Sequence, residues 1–399
     1  MKNIPFSPPD ITDEEINEVV RVLKSGWITT GPDCRAFEQK ISEFTSCVHT
    51  VCLNSCTSAM ELTLRMLGVK EGDEVITTAY TYTATAAVVT HVGAKLVLAD
   101  TAPGSFLIDC DSFEGLINER TKAIIPVNVG GKVCDQKRIR EIIESKRSIY
   151  KPDESNPLQK AFGRVVIISD SAHGLGATRD NIPSGRLADF TAFSFHAVKN
   201  LTTAEGGAIT WTNIDGIDND ELERMFRVYS LHGQTKDAFS KMQLGAWEYD
   251  IIAPAYKCNM PDVLAAIGLK QLERYDKLLS RRHEIISLYD SVFLPMGLKP
   301  MIHSGEDFRS SGHLYLLRIP GYDTQKRNEL ITRLAEKHIT TNVHYKPLPL
   351  LTAYKNLGFD IKDFPNAYHQ YENEITLPLH TLLTDEDVMY VADTVKSLI

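Results

Sequence analysis

The sequence predicts an α/β protein: a large domain on a mostly parallel central sheet flanked by helices, followed by a smaller C-terminal α/β domain. Three observations carry this prediction. A rhythm of strand, polar loop and helix repeats between His49 and Trp211, the pattern of a sheet with helices on its faces. The chain of 399 residues exceeds the roughly 250–300 residues at which one core stops growing, so two domains are expected, residues 1–274 and 275–399. Its 43% hydrophobic and 24% charged residues are the balance of a globular protein with a substantial core.

The elements follow in order. Thr12 with Glu15 three residues later is a capping-box pattern, and Ile16, Val19, Val20 and Leu23 recur at helical spacing as far as Gly26. A turn-rich loop, 25–32, carries Trp27 and Thr30 and leads to an amphipathic helix over 36–44. Residues 49–53 read as a strand, 54–58 as a small polar turn and 59–67 as a helix. That unit aims backbone N–H groups and a positive helix end at the space above the turn. It suits a phosphate near Thr57 and Ser58, although taken alone a plain N-cap by Thr57 or Ser58 is the favoured reading. Residues 74–78 form the next strand, followed by a loop with Tyr80 and Tyr82 and a helix to about residue 92. Strands are expected over 95–100 and 123–129. The charged, proline-containing stretch 145–163 reads as a surface insertion.

The most apolar strand, 164–169, delivers Asp170 and His173 beyond its carboxyl end, where ligands bind in open α/β sheets. A lone aspartate there is otherwise a turn or cap residue. A strand over 189–193 then leads to Ser194 and Lys199. Phe195, Ala197, Val198 and Leu201 flank this lysine, and no acidic residue follows until Glu205. Such surroundings lower an ammonium pKa by desolvation, and the free amine can form a Schiff base, although on this evidence alone a solvated surface lysine is the commoner reading. After a strand over 208–211 come a helix over 220–230 and an irregular region, 231–255, containing Trp247. A long helix starts past Asn259, with Pro261 suited to its first position. Beyond residue 275, strands are expected over 313–319, 339–345 (carrying His344) and 374–379, and helices over 325–337 and 384–398.

Composition excludes several classes of function. A net charge of −9 argues against a nucleic-acid surface, which needs a concentrated basic face. Seven scattered cysteines without Cys-x-x-Cys spacing argue against a zinc or redox site and for reduced thiols. The N-terminus lacks the apolar core of a signal peptide, and no apolar run is long enough to span a membrane. A cytoplasmic location, with no membrane, metal or nucleic-acid partner, is expected.

The string SFHAVKNLTTAEGG over 194–207 stands in sequence after the 54–58 turn, Tyr82 and Asp170-Ser171-Ala172-His173, and before Asn259 and His344-Tyr345-Lys346-Pro347. In this order the motifs resemble those of the DegT/StrS-type nucleotide-sugar aminotransferases, which are fold-type-I enzymes dependent on pyridoxal phosphate. The resemblance runs from the opening helix to Leu377-Pro378-Leu379-His380. It implies that Lys199 is the catalytic lysine that holds pyridoxal 5'-phosphate, and that Asp170 faces the pyridine nitrogen. It places Thr57, Ser58 and Ser194 on the phosphate, Tyr82 on the ring face with Tyr80 as rival, and His173 near the ring hydroxyl. Asn259 would reach the partner's cofactor across a homodimer, and Trp27, Thr30 and His344 would lie toward the substrate. Glutamate is the implied amino donor. The implied acceptor is a keto sugar on a nucleotide, with a 4-keto-6-deoxy hexose on UDP or dTDP, for a surface polysaccharide or glycan, as the reading by analogy. Cys56, Asn128 and Ala255 depart from the family pattern. A branch that carries histidine in place of the lysine dehydrates its sugar, and Lys199 argues against it. The alternatives are a cyclitol or other keto acceptor, a non-catalytic regulator on the same fold, and an α/β binding protein without cofactor.

Overall fold

A computed structural model describes residues 3–236 and 248–399. Its strands, in chain order, are β1 (His49–Leu53), β2 (Glu74–Thr78), β3 (Lys95–Ala99), β4 (Thr121–Ile125), β5 (Val166–Asp170), β6 (Thr178–Arg179), β7 (Ile182–Pro183), β8 (Phe190–Ser194), β9 (Gly207–Trp211), β10 (Lys299–Pro300), β11 (Phe308–Arg309), β12 (Tyr315–Arg318) and β13 (Glu374–Leu377). Seven of them make one sheet in the order β1-β9-β8-β5-β4-β2-β3. The pairs from β8 to β3 are parallel, and β9 alone runs antiparallel to its neighbours β1 and β8. β1, β2, β4, β5 and β8 therefore point the same way. Their carboxyl ends, and the start of β9, lie along a single edge of the sheet, and that edge carries the site.

Helices cover the sheet, so β1, β2, β4, β5 and β9 are buried at every position, as strands covered on both faces are. Val75, Ile76, Ile124, Ile167 and Ile168 form its interior, each contributing about 1.5–3 kcal/mol by leaving water. A second cluster, with Tyr289, Phe293, Leu317, Leu334 and Val391, surrounds the small sheet β10-β12-β13. It also takes in Ile4 from the other end of the chain, whose N–H donates to the His338 carbonyl at 2.8 Å. A third cluster packs Phe37, Phe193, Phe195 and Tyr275 beneath the Lys199 segment.

Several boundaries differ from expectation, each for a local reason. The third helix starts at Cys56, with Ser55 as N-cap accepting from the Ser58 N–H at 3.1 Å, so neither Thr57 nor Ser58 is the cap. Pro261 is the N-cap of helix Asp262–Glu273 and not its first residue, because its backbone is extended, with ψ at 153°; the Asp262 carboxylate accepts from the N–H groups of Gly31, Asp33 and Cys34. The long helix is two, Asp262–Glu273 and Tyr275–Phe293, interrupted at Arg274. The stretch 145–163 is not wholly superficial: helix Pro157–Phe162 buries Leu158 and Gln159. No strand forms over 339–345, where two isolated bridges, Ile4 to Ile339 and Asn342 to Thr376, hold the chain. In the region 231–255, residues 237–247, Trp247 among them, lie outside the described residues.

Candidate active site

Along the shared sheet edge lies a cavity of about 380 Å³. β1 and the following helix supply Cys56 and Thr57, the segment after β2 supplies Tyr82, and the segment after β4 supplies Asn128. β5 supplies Asp170 and His173, β8 supplies Ser194 and Lys199, and His344 and Tyr345 close the far side. Thr57, Tyr82, Asp170, His173, Ser194, Lys199 and His344 are thus brought together. Ser58, Asn259, Trp27 and Thr30 are not. Ser58 Oγ donates to Asn54 Oδ1 at 2.7 Å. Asn259 and Thr30 bond each other at 2.5 Å beside a separate cleft of about 50 Å³, and Trp27 packs on Gly31. Tyr82 and Tyr80 separate cleanly. Tyr82 is 61% exposed at the cavity, whereas Tyr80 is fully buried and donates to the His344 carbonyl at 2.8 Å.

The loop after β8 is shaped by its own threonines. The Thr203 N–H and the Thr202 hydroxyl both donate to the Phe195 carbonyl, at 2.8 and 3.2 Å, and the Phe195 N–H donates to the Gly206 carbonyl at 2.8 Å. Lys199 is thereby presented from a closed loop. Burial pulls its ammonium down to about 8, against the opposing effects of Asp170 and Cys56. Next in sequence, Gly207 lies against the start of the third helix, and a Cβ there would sit 2.3 Å from both Cys56 N and Ser55 C. Gly207→Ala is therefore expected to cost about 1–3 kcal/mol by forcing backbone apart. Thermal unfolding of the wild type and the variant checks this.

Asp170 is 5% exposed. Its Oδ2 accepts from Thr85 Oγ1 at 2.6 Å and its Oδ1 from the Ala172 N–H at 3.1 Å. Burial nevertheless pushes its pKa up, while the two hydrogen bonds and the Lys199 charge pull it down. The site thus holds a carboxylate that a further cation would stabilise. His173 is neutral, held well down by burial and by the Lys199 charge. Its Nδ1 accepts from the Gly130 N–H at 3.2 Å, so Nε2 carries the proton and donates to Tyr345 Oη at 3.0 Å.

Thr85 and Tyr345 are participants that sequence reasoning missed. Thr85 lies 85 residues from the carboxylate it serves, and no local pattern marks it. Tyr345 stands in the His344-Tyr345-Lys346-Pro347 motif, but only its bond to His173 marks its individual part. Of the departures, Cys56 places its thiol 3.9 Å from Asp170 Oδ1. Asn128 donates to Ser169 and Ser171 Oγ at 3.1 and 3.0 Å and accepts from the Cys134 N–H at 2.9 Å. It fastens the turn after β4 to the end of β5. Nothing in the structure explains Ala255.

The residues present suit pyridoxal phosphate. A half-buried lysine with a lowered pKa faces a cavity of about 380 Å³, and a buried carboxylate awaits a cation. The N–H groups at the start of helix Cys56–Met66 lie beside Ser194, where an anionic group finds donors.

Known proteins resemble the chain over its full length. A proposed sugar aminotransferase of Streptococcus pneumoniae, Spr1654, solved in its PMP-form, has a TM-score of 0.96 and 55% identity, covering 99% of each chain. Its PLP-form has the same TM-score at 53% identity, covering 100% of this chain and 98% of that one. The spore coat polysaccharide biosynthesis protein SpsC of Bacillus subtilis is 37% identical, over 99% of this chain and 97% of that protein. The UDP-4-amino-4-deoxy-L-arabinose--oxoglutarate aminotransferase of Shewanella sediminis is 33% identical, over 99% of this chain and 98% of that protein. The family model of the DegT/DnrJ/EryC1/StrS aminotransferases matches residues 9–396, and the chain belongs to that family.

Proposed function

We propose that the protein is a pyridoxal-phosphate-dependent aminotransferase that moves an amino group from glutamate to the keto group of a nucleotide-linked sugar. The observation that carries this reading is the convergence of Lys199, Asp170, His173, Ser194, Thr57 and Tyr82, from separate sheet elements, on one cavity. Two relatives support the substrates: SpsC serves a polysaccharide, and the Shewanella enzyme pairs a UDP-amino sugar with oxoglutarate. A 4-keto-6-deoxy hexose on UDP or dTDP, destined for a surface polysaccharide or cell-wall glycan, is the acceptor we favour. Among the described residues no helix is long and apolar enough to cross a membrane, and we place the enzyme in the cytoplasm.

The cofactor, when bound, supplies an electron sink for the carbon that exchanges its proton. The chain supplies the rest. Lys199 holds the cofactor and, as a free amine, carries the proton between carbons. Asp170 balances a cationic ring nitrogen. Thr57 and Ser194, which line the cavity as Ser58 does not, bind the phosphate with the N–H groups of the third helix. Tyr82 covers the flat face, and His173, neutral and fixed by Gly130 and Tyr345, adjoins the ring oxygen. His344 contacts the sugar nucleotide in this cavity, and Trp27 and Thr30, which lie outside it as Asn259 does, contact the one bound at the partner's site.

The protein acts as a homodimer in this reading, with each site shared. Two features support it: Tyr82 is 61% exposed at the cavity mouth, and Asn259 lies outside the cavity of its own protomer. If Asn259 serves the partner's site, Asn259→Ala and Lys199→Ala homodimers are each impaired, and mixing them restores activity in the hybrid. No recovery on mixing would put Asn259 in its own protomer's structure only.

The test of the function is a spectrum followed by a screen. Pyridoxal phosphate is expected to turn the protein yellow and glutamate to bleach it. The bleached enzyme is then expected to recover its colour with UDP- or dTDP-4-keto-6-deoxy hexoses. A protein that stays colourless overturns the reading.

A further inference from the structure

One buried carboxyl group lies outside the machinery described above. Glu374 and Thr376 are neighbours on the same face of β13, both with no exposure. Glu374 Oε2 accepts from the His344 N–H at 3.1 Å, its Oε1 is bonded to Thr376 Oγ1 at 2.5 Å, and Thr376 Oγ1 lies 2.9 Å from His344 Nδ1. The three groups close a ring at the cavity wall. The imidazole is clamped further by a stacked Phe6, with centroids 5.6 Å apart, and its backbone by Tyr80. With Nδ1 tied to Thr376, the other ring edge, carrying Nε2, is left for the cavity that His344 lines.

A hydroxyl that donates to one partner must accept from the other. With Glu374 ionised, Thr376 donates to Glu374, His344 Nδ1–H donates to Thr376, and Nε2 is an acceptor. With Glu374 protonated, the carboxyl donates to Thr376, Thr376 donates to Nδ1, and Nε2 carries the hydrogen. We propose that Glu374 and Thr376 form a buried proton relay that sets whether His344 accepts from or donates to an oxygen of the bound acceptor. The balance is one proton. Uptake at Nε2 from the ligand moves the Nδ1 proton to Thr376 and the Thr376 proton to the Glu374 carboxylate, and the reverse sequence returns it. The ligand half of this inference rests on the reading of His344 as a sugar contact; the relay itself does not.

The surroundings keep both forms within reach. Burial pushes Glu374 up to about 8, with Thr376, the His344 N–H and Arg327 opposing it. Burial and the Lys199 charge push His344 down to about 3, so the imidazole stays neutral. Tyr80 and Tyr345 also face this group, and burial keeps both phenols protonated. The proton of the trio therefore belongs to Glu374.

The test is the ¹⁵N spectrum of histidine-labelled protein, with the His344 signals assigned from their loss in His344→Gln. In the wild type the tautomer should pass from Nε2–H to Nδ1–H as pH rises through about 8. Glu374→Gln must use its carbonyl for the His344 N–H and its amide N–H for Thr376, so it should hold Nε2–H at every pH. Thr376→Val should abolish the pH response and Thr376→Ser should retain it, which keeps the test open if one variant fails to fold. A tautomer indifferent to these substitutions overturns the relay. In the loaded enzyme, Glu374→Gln should slow the acceptor half-reaction about 10²-fold, at the low end of acid–base contributions, with the glutamate half-reaction unchanged. A tautomer that follows the substitutions while acceptor turnover does not move establishes the relay and overturns the sugar-facing role of His344.

Discussion

Lys199→Ala is expected to lower transamination on the order of 10⁴-fold, the upper end of what a positioned acid–base residue contributes, and to leave the protein without its yellow colour in pyridoxal phosphate. Other residues of the cavity can bind and orient, but each lacks a part of what this amine does. His173 has both ring nitrogens committed, to Gly130 and to Tyr345. Cys56 is a thiol pushed well up by burial, so it stays protonated and poorly nucleophilic. Among the described residues of the cavity, only Lys199 combines reach, a nucleophilic amine and a pKa near 8, close enough to neutrality for both protonation states to be populated. Turnover with glutamate and a keto sugar measures the effect. A variant within tenfold of the wild type would remove Lys199 from the chemistry.

The same lysine makes a second, thermodynamic difference. Its folded pKa of about 8 lies below the ordinary value of 10.5, so between these limits the unfolded chain binds a proton that the folded chain does not. Stability then rises with pH across that window and carries the full cost of the buried ammonium below pH 8. Lys199→Met removes the cost. The apoprotein of this variant should be more stable than the wild type at pH 7, by roughly 1–2 kcal/mol once solvent at the cavity mouth is allowed for. The gap should narrow as pH approaches 10. Urea unfolding at the two pH values reads it, and a gap that widens with pH would mean that the ammonium is not desolvated.

The sheet was legible in the sequence because its strands are buried on both faces and read as continuous apolar runs closed by polar turns, as 164–169 followed by Asp170 shows. The side chains at those turns were legible for the same reason: a strand's carboxyl end can be located before its neighbours are known. Long-range partnership was not. The bond of Thr85 to Asp170, the packing of Ile4 into the second core, and the bonds of His344 to Glu374 and Thr376 all join residues at least 30 positions apart. Periodicity carries no information about such pairs. The missing strand over 339–345 is a related case. Its apolar and β-branched residues satisfy the propensity, but its partners offer only isolated bridges at Ile339 and Asn342, and tertiary context decides strand formation.

Asp170→Asn is expected to cost about 10²–10³-fold in turnover, the scale for losing one aimed polar group in a preorganised site, while the yellow colour given by Lys199 persists. The substitution is nearly isosteric. The amide oxygen can still accept from Thr85 or from the Ala172 N–H, so the turn after β5 keeps its shape and the fold should survive. What is lost is charge. In the protein alone that charge is poorly tolerated, since burial pushes the carboxyl upward despite two hydrogen bonds and the Lys199 ammonium. A cationic ring nitrogen above it would relieve the strain, and the relief is available only when the cofactor is in place. The carboxylate is thus held ready at the expense of the empty fold. Thr85→Val tests the same argument from the side. It removes one donor from the carboxylate without touching the charge, and should cost only about tenfold, the worth of a single hydrogen bond to a charged group. If Asp170→Asn and Thr85→Val proved equally mild, Asp170 would be holding its turn and not the ring.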